Sequence, residues 1–215
     1  MGLFVIFSSL LALASQVGTL FDSAMRYLLN LLFLGGTTIV FGINRNKISW
    51  QQLGLHFSRW RWRFLWTAIL LSLAINPIRA LIALAAQQFI GGGLAALEGR
   101  AEIILAGGFT WPAFLLTLLG VGIFIPLAEE MYFRGLLHNW FAERFRFWPR
   151  VLLSSMIFGL GHFDTLGVLI SSFIMGIVIA IAYERTKTLW LPVAIHAVTN
   201  GGSIILLYLA MALRL

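Results

Sequence analysis

Long runs without a charged side chain decide what this chain can become. Residues 1–21 contain no Asp, Glu, Lys or Arg, and neither do 103–128, 165–183 or 188–213. Hydrocarbon about 30 Å thick is crossed by a helix of about 20 apolar residues. Composition points the same way: 60% of the 215 residues are hydrophobic, 11% are charged, and the mean hydropathy is +0.93. A soluble domain carries roughly a quarter charged residues, so this chain lacks the material for a water-facing surface. The reading is an all-α, polytopic transmembrane bundle, one domain over 1–215.

The runs suggest about seven spans. They cover 1–21, about 24–43, 64–90, 111–138, a fifth from near 151, a sixth ending near 183, and 189–213. The first could be a signal peptide with a cleavage site near Ala12-Leu13-Ala14, but no Lys or Arg precedes it, which favours a retained helix. The third contains Pro77 and Arg79, so a kink or interruption is expected there. Residues 91–110 are Gly-rich and read as a loop.

Charge orients the bundle. The basic segment 44–63 interleaves Arg45, Lys47, Arg59, Arg61 and Arg63 with Trp50, Trp60 and Trp62. Tryptophans of this kind belong at the headgroup level and the cations at anionic lipid. With 139–150 and 184–188 on the same side, ten of the fifteen Lys and Arg residues collect there, against Arg26, Arg100 and Arg214 opposite. By the positive-inside rule that side is cytoplasmic, and so is the N-terminus. The setting expected is a bacterial inner membrane. The net charge of +7 is thereby explained without nucleic acid as a partner. The chain has no cysteine, which excludes disulfides, thiolate metal ligands and a thiol nucleophile.

Ionisable groups within spans are costly and point to function. Here they are Arg79, Glu129, Glu130, Arg134, His162, Asp164 and His196, with Asn200 as polar companion. At ~1.5 Å rise per residue, Glu129 and His196 lie ~14 Å from the cytoplasmic face, His162 ~18 Å and Asn200 ~20 Å. Residues of three different helices thus converge on one depth. Glu130 and Arg134 are four apart and share a face, so Arg134 can neutralise Glu130 and leave Glu129 available for chemistry. His196 and Asn200 also share a face. Each of these could singly be a bundle hydrogen bond; a common depth favours one site. His56 and His138 read as solvated or interfacial, Asp164 as a helix cap, and Arg79 as snorkelling or facing a cavity.

At these residues the chain resembles a known family. Glu129-Glu130-Met131-Tyr132-Phe133-Arg134 resembles its motif of two glutamates, three variable residues and an arginine. Phe158-Gly159-Leu160-Gly161-His162 resembles its Phe-x-x-x-His motif, and His196-Ala197-Val198-Thr199-Asn200 its His-x-x-x-Asn motif. The family is the CPBP intramembrane proteases, which includes type II CAAX prenyl endopeptidases and bacteriocin-immunity or processing proteins. The resemblance covers residues 111–204. It implies an endopeptidase with the first glutamate catalytic, acting on a membrane-associated or prenylated peptide or protein.

The residues are suited to that chemistry. A partly buried Glu129 can serve as general base for water. His162 can hold the same water, and His196 and Asn200 can donate to the tetrahedral oxyanion. Glu130 and Arg134 would support them. Zinc is the alternative, with Glu129, His162 and His196 as ligands and a water completing the set. Zinc sites commonly take two ligands from one helix, whereas these three come from separate elements, so no cofactor is favoured. A non-enzymatic membrane scaffold and a proton-coupled transporter are the other functions such buried groups could serve.

Overall fold

The computed structural model describes residues 20–56, 59–90, 105, 107–162 and 165–213. Residues 1–19 of the span expected over 1–21, most of the loop expected over 91–110, and Asp164 lie outside them. Six helices organise the described residues: α1 (Leu20–Arg45), α2 (Arg63–Ile90), α3 (Trp111–Ala142), α4 (Phe147–Leu160), α5 (Leu166–Thr186) and α6 (Trp190–Leu213). There is no strand among the described residues. All but α4 are long and apolar enough to cross a membrane; α4 is a shorter apolar helix of 14 residues. The protein is an integral, multi-pass membrane protein.

Local chemistry sets the helix ends. Thr110 caps α3, its hydroxyl accepting from Ala113 N at 3.3 Å, and Pro112 follows in the first turn. Thr165 caps α5 in the same way, accepting from Val168 N at 3.2 Å. Such caps satisfy amide groups that a helix start leaves without intrahelical partners. Helix α2 continues as one helix with Pro77 inside it.

Helix α3 departs from the sequence reading in two ways. It runs on to Ala142 rather than stopping near residue 138, and two stretches widen to π-helix, Gly120–Phe124 and Met131–His138. The six α-helical residues between them, Ile125–Glu130, carry both glutamates. π-Helical turns inside α-helices concentrate at functional sites, because an extra residue per turn re-aims the side chains around it.

Helix α5 sits between α4 and α2, and α6 packs against α2, α3 and α5. The α4–α5 contact depends on Gly176, where a Cβ would lie 3.0 Å from Ser155 Cα. Small residues that let backbones approach are the usual glue between membrane helices. Trp148, Leu152, Met156 and Leu160, spaced by four, form an exposed apolar stripe on α4. Apolar cores lie beneath, one joining Phe64 and Ala68 of α2 to Met175, Ile179 and Ala182 of α5 and Leu191 and Ile195 of α6.

The basic segment docks on the α5–α6 turn. Gly54, at φ +98°, accepts through its carbonyl from Leu189 N at 2.9 Å and Thr188 Oγ1 at 3.0 Å. Trp190 Nε1 donates to His56 O at 2.8 Å. Trp60 packs edge-on against Trp62, Phe64 and Trp190. The segment is thus fastened to the start of the helix that carries His196.

Candidate active site

Glu129 and Glu130 sit side by side on α3 but face different neighbours. Glu130 is fully buried, and its Oε1 accepts from Arg134 Nη1 at 3.1 Å. The four-residue spacing read from the sequence therefore gives the pairing expected. Arg134 is also fully buried. Its Nη2 donates to Gly176 O at 3.0 Å, and its guanidinium lies 4.5 Å from the centre of the Phe158 ring. A guanidinium stacked on an aromatic face gains cation–π attraction, and the carbonyl takes a second donor.

Glu129 faces two imidazoles. His162 Nε2 is 3.7 Å from its Oε1, and His196 Nε2 is 3.5 Å from its Oε2. Only 8% of the Glu129 side chain is exposed, against 22% of His162, so the site opens on the His162 side. Both rings are fixed through the other nitrogen. His162 Nδ1 donates to Phe158 O at 2.8 Å, because a carbonyl only accepts. His196 Nδ1 lies 2.8 Å from Glu130 Oε1.

The structure thus brings together Glu129, Glu130, Arg134, His162 and His196 of α3, α6 and the turn after α4. Asn200, one turn beyond His196 on α6, donates through Nδ2 to Val121 O at 3.2 Å. Val121 belongs to the first π-helical stretch, so this bond ties α6 to the widened part of α3. One amide hydrogen of Asn200 is used there and a second is left for other work. For His196, donation through Nε2 as well as Nδ1 would take a second ring proton.

Sequence reasoning did not find two contributors. Phe158 stood only as the first letter of a motif, yet its ring lies 4.5 Å from the His162 ring and 5.7 Å from that of His196, besides carrying Arg134. Gly176 contributes a backbone carbonyl, which leaves no mark in a sequence.

A second polar cluster ties the ends of α3, α4 and α5. Here the sequence reading needs correction: His138 is fully buried, not interfacial. Its Nε2 is 2.8 Å from Glu184 Oε1 and its Nδ1 is 2.9 Å from Ser154 Oγ. Glu184 also accepts from Arg150 Nη2 at 2.8 Å and Lys187 Nζ at 2.7 Å. The reason is that α3 continues past His138 and α4 folds back against it, so His138 is covered. Arg79 is held by Ser171 O and Asn76 Oδ1, each at 3.1 Å, an internal role rather than a snorkelling one.

Glu129, His162 and His196 were also the donor set considered for zinc. Among the described residues, no three His, Asp or Glu side chains are arranged as a metal-ion site. No step below runs through a metal.

Residues 111–202 match the family described as type II CAAX prenyl endopeptidase Rce1-like. An Escherichia coli uncharacterized 24.3 kDa protein is 36% identical over 40% of this chain and 41% of its own length. A Bacillus subtilis (strain 168) protein whose name proposes a membrane peptidase, YdiL, is 35% identical over 38% of this chain and 33% of its own. The membrane-embedded CAAX protease MroQ of Staphylococcus aureus (strain USA300) is 27% identical over 85% of this chain and 74% of its own. The chain therefore covers under half the length of the first two relatives. No solved structure matches it. The matched segment, residues 111–202, holds Glu129, Glu130, Arg134, His162, His196 and Asn200 together.

Proposed function

We propose that this protein is an intramembrane endopeptidase that hydrolyses a peptide bond of a membrane-associated or prenylated peptide or protein. The observation that carries the reading is Glu129, buried within a spanning helix and flanked by the Nε2 atoms of His162 and His196 at 3.7 and 3.5 Å. Gaps of that length are too wide for direct hydrogen bonds and suit a water held among the three groups.

In this mechanism Glu129 takes a proton from that water as its oxygen bonds to the carbonyl carbon, and the carbonyl π pair moves to oxygen. His162 holds the water in place. The developing oxyanion is stabilised from the α6 side, where His196 and Asn200 stand. The tetrahedral intermediate then collapses, the C–N bond breaks, and the protonated Glu129 returns its proton to the leaving nitrogen. Positioned acid–base groups contribute about 10²–10⁴-fold to such reactions, and a preorganised oxyanion donor about 10²–10³-fold. No metal takes part in this scheme.

The names of two relatives, a membrane peptidase and a CAAX protease, support the reading. All three relatives are bacterial, which supports a bacterial cell membrane, and the charge bias supports a cytoplasmic N-terminus. Lipid and a peptide or lipidated protein are the partners this reading requires.

The test is cleavage by purified protein in proteoliposomes of labelled peptides with and without a C-terminal isoprenoid, beside Glu129→Ala. Cleavage by the wild type and none by the variant is expected. Equal cleavage by both, or by neither, would remove the reading, and a proton-dependent solute flux in the same vesicles would replace it with transport.

A further inference from the structure

The connection 46–62 between α1 and α2 has two unlike faces. Its inner residues are built against the helices of the site. Leu53 is fully buried, and its backbone oxygen lies close to Gly135, where a Cβ would stand only 3.0 Å away. Asn139 Nδ2 donates to Gln52 O at 3.2 Å. Leu55 packs against the cluster of Met131, Tyr183 and Leu189. These contacts hold α3 one residue past Arg134. The bonds from Thr188, Leu189 and Trp190 to Gly54 and His56 hold the start of α6. The connection is thus a strap across the two helices that carry Glu129 and His196.

The outer residues carry charge of one sign. Residues 44–63 hold Arg45, Lys47, Arg59, Arg61 and Arg63 and no Asp or Glu. All five cations are exposed, and so is Trp62, at 74%. Arg59 Nη1 donates to Lys187 O at 3.4 Å, which brings Lys187 beside them. Glu184, the acid at this end of α5, is already bonded to Arg150 and Lys187. Like charges this close repel, and the strap holds nothing that offsets them. Exposed tryptophan lies at headgroup level, where anionic lipid draws cations. We infer that the strap is a binding site for anionic phospholipid headgroups, and that their occupancy keeps it seated against α3 and α6. Headgroup phosphates supply the negative charge that the segment lacks; without them the repulsion lifts it. The consequence for catalysis, faster cleavage in anionic lipid, rests on the endopeptidase reading.

Because the chain has no cysteine, Leu53→Cys reports seating directly. The full-length variant would be reconstituted in vesicles of phosphatidylcholine, and in vesicles with part of it replaced by phosphatidylglycerol of the same acyl chains. A membrane-permeant maleimide should label the cysteine more slowly where phosphatidylglycerol is present, and raised salt should lessen the difference. A cation near an anionic surface strengthens binding about fivefold, so Arg59→Gln/Arg61→Gln/Arg63→Gln in the same background should weaken it about a hundredfold and abolish the protection. With Leu53 intact, peptide cleavage should be faster in the phosphatidylglycerol vesicles, and the triple variant should lose that gain.

Equal labelling in the two lipids would overturn the inference, as would protection that survives the triple change. So would equal protection by a soluble acidic peptide added to phosphatidylcholine vesicles, or cleavage indifferent to phosphatidylglycerol. If Leu53→Cys folds poorly, Leu55→Cys gives the same reading. Labelling needs no substrate, so lipid-dependent protection in a protein that cleaves nothing would remove the endopeptidase reading alone.

Discussion

Arg134 meets Glu130 and Phe158 at once, a carboxylate oxygen at 3.1 Å and an aromatic ring at 4.5 Å. The guanidinium therefore connects the glutamate motif of α3 to the Phe-x-x-x-His motif of α4. The two adjacent glutamates should consequently fail in different ways when changed.

Glu129→Gln keeps volume and hydrogen-bonding capacity but removes the base. It should abolish peptide cleavage and leave the detergent melting curve unshifted. Glu130→Gln strands the buried Arg134. Breaking one member of a buried pair costs about 3–5 kcal/mol in soluble proteins, and water entering the bilayer reduces that figure. Its melting temperature should fall, and adding Arg134→Gln should partly restore it. An early-melting Glu129→Gln beside a stable, inactive Glu130→Gln would reverse the two roles.

Glu184 gathers three partners from three elements, with 5% of its own side chain exposed. Glu184→Gln should therefore lower the melting temperature more than Glu143→Gln, whose pair with Arg144 is exposed and by its setting worth about 0–1 kcal/mol. Equal melting curves for the two variants would show that the buried cluster adds nothing.

At Gly176 a side chain has nowhere to go. Gly176→Val should push α4 from α5 and displace the carbonyl that Arg134 uses. Overpacking costs typically about 1–3 kcal/mol. Both the melting temperature and the cleavage rate should fall, and a variant with wild-type values for both would mean that the helices part freely.

Chelators should leave most cleavage activity intact, and purified protein should hold well under one zinc per chain by elemental analysis. Stoichiometric zinc, lost with activity and regained with it, would move Glu129, His162 and His196 from acid–base to ligand roles.

Because the chain has no cysteine, single cysteines report sidedness directly. A cysteine at Glu143 should react with impermeant reagent only from the cytoplasm, and one at Gly92 only from outside. Labelling of Glu143 from outside would invert the orientation.

The sequence made the spans and the Glu130–Arg134 pair legible because both follow local rules, apolar length and four-residue spacing. The bond from His196 to Glu130 joins residues 66 apart and depends on how α6 lies against α3, which no local spacing encodes. His138 was misplaced for a related reason. Its burial follows from the fold-back of α4, and the apolar run alone set the end of α3 too early. The π-helical stretches flanking the glutamates leave no trace in a 3.6-residue pattern, so the aim of Glu129 became visible only with the backbone.

Helix α4 has a consequence for the lipid around it. Fourteen residues rising about 1.5 Å each reach only some two thirds of the way across hydrocarbon about 30 Å thick. Its stripe of Trp148, Leu152, Met156 and Leu160 faces outward, so the acyl chains there meet a wall too low for them. Hydrophobic mismatch of this kind thins the neighbouring bilayer and lets water descend along the side where His162 is partly exposed. Bilayers of shorter acyl chains relieve the mismatch, which makes membrane thickness a variable of how far water reaches towards His162.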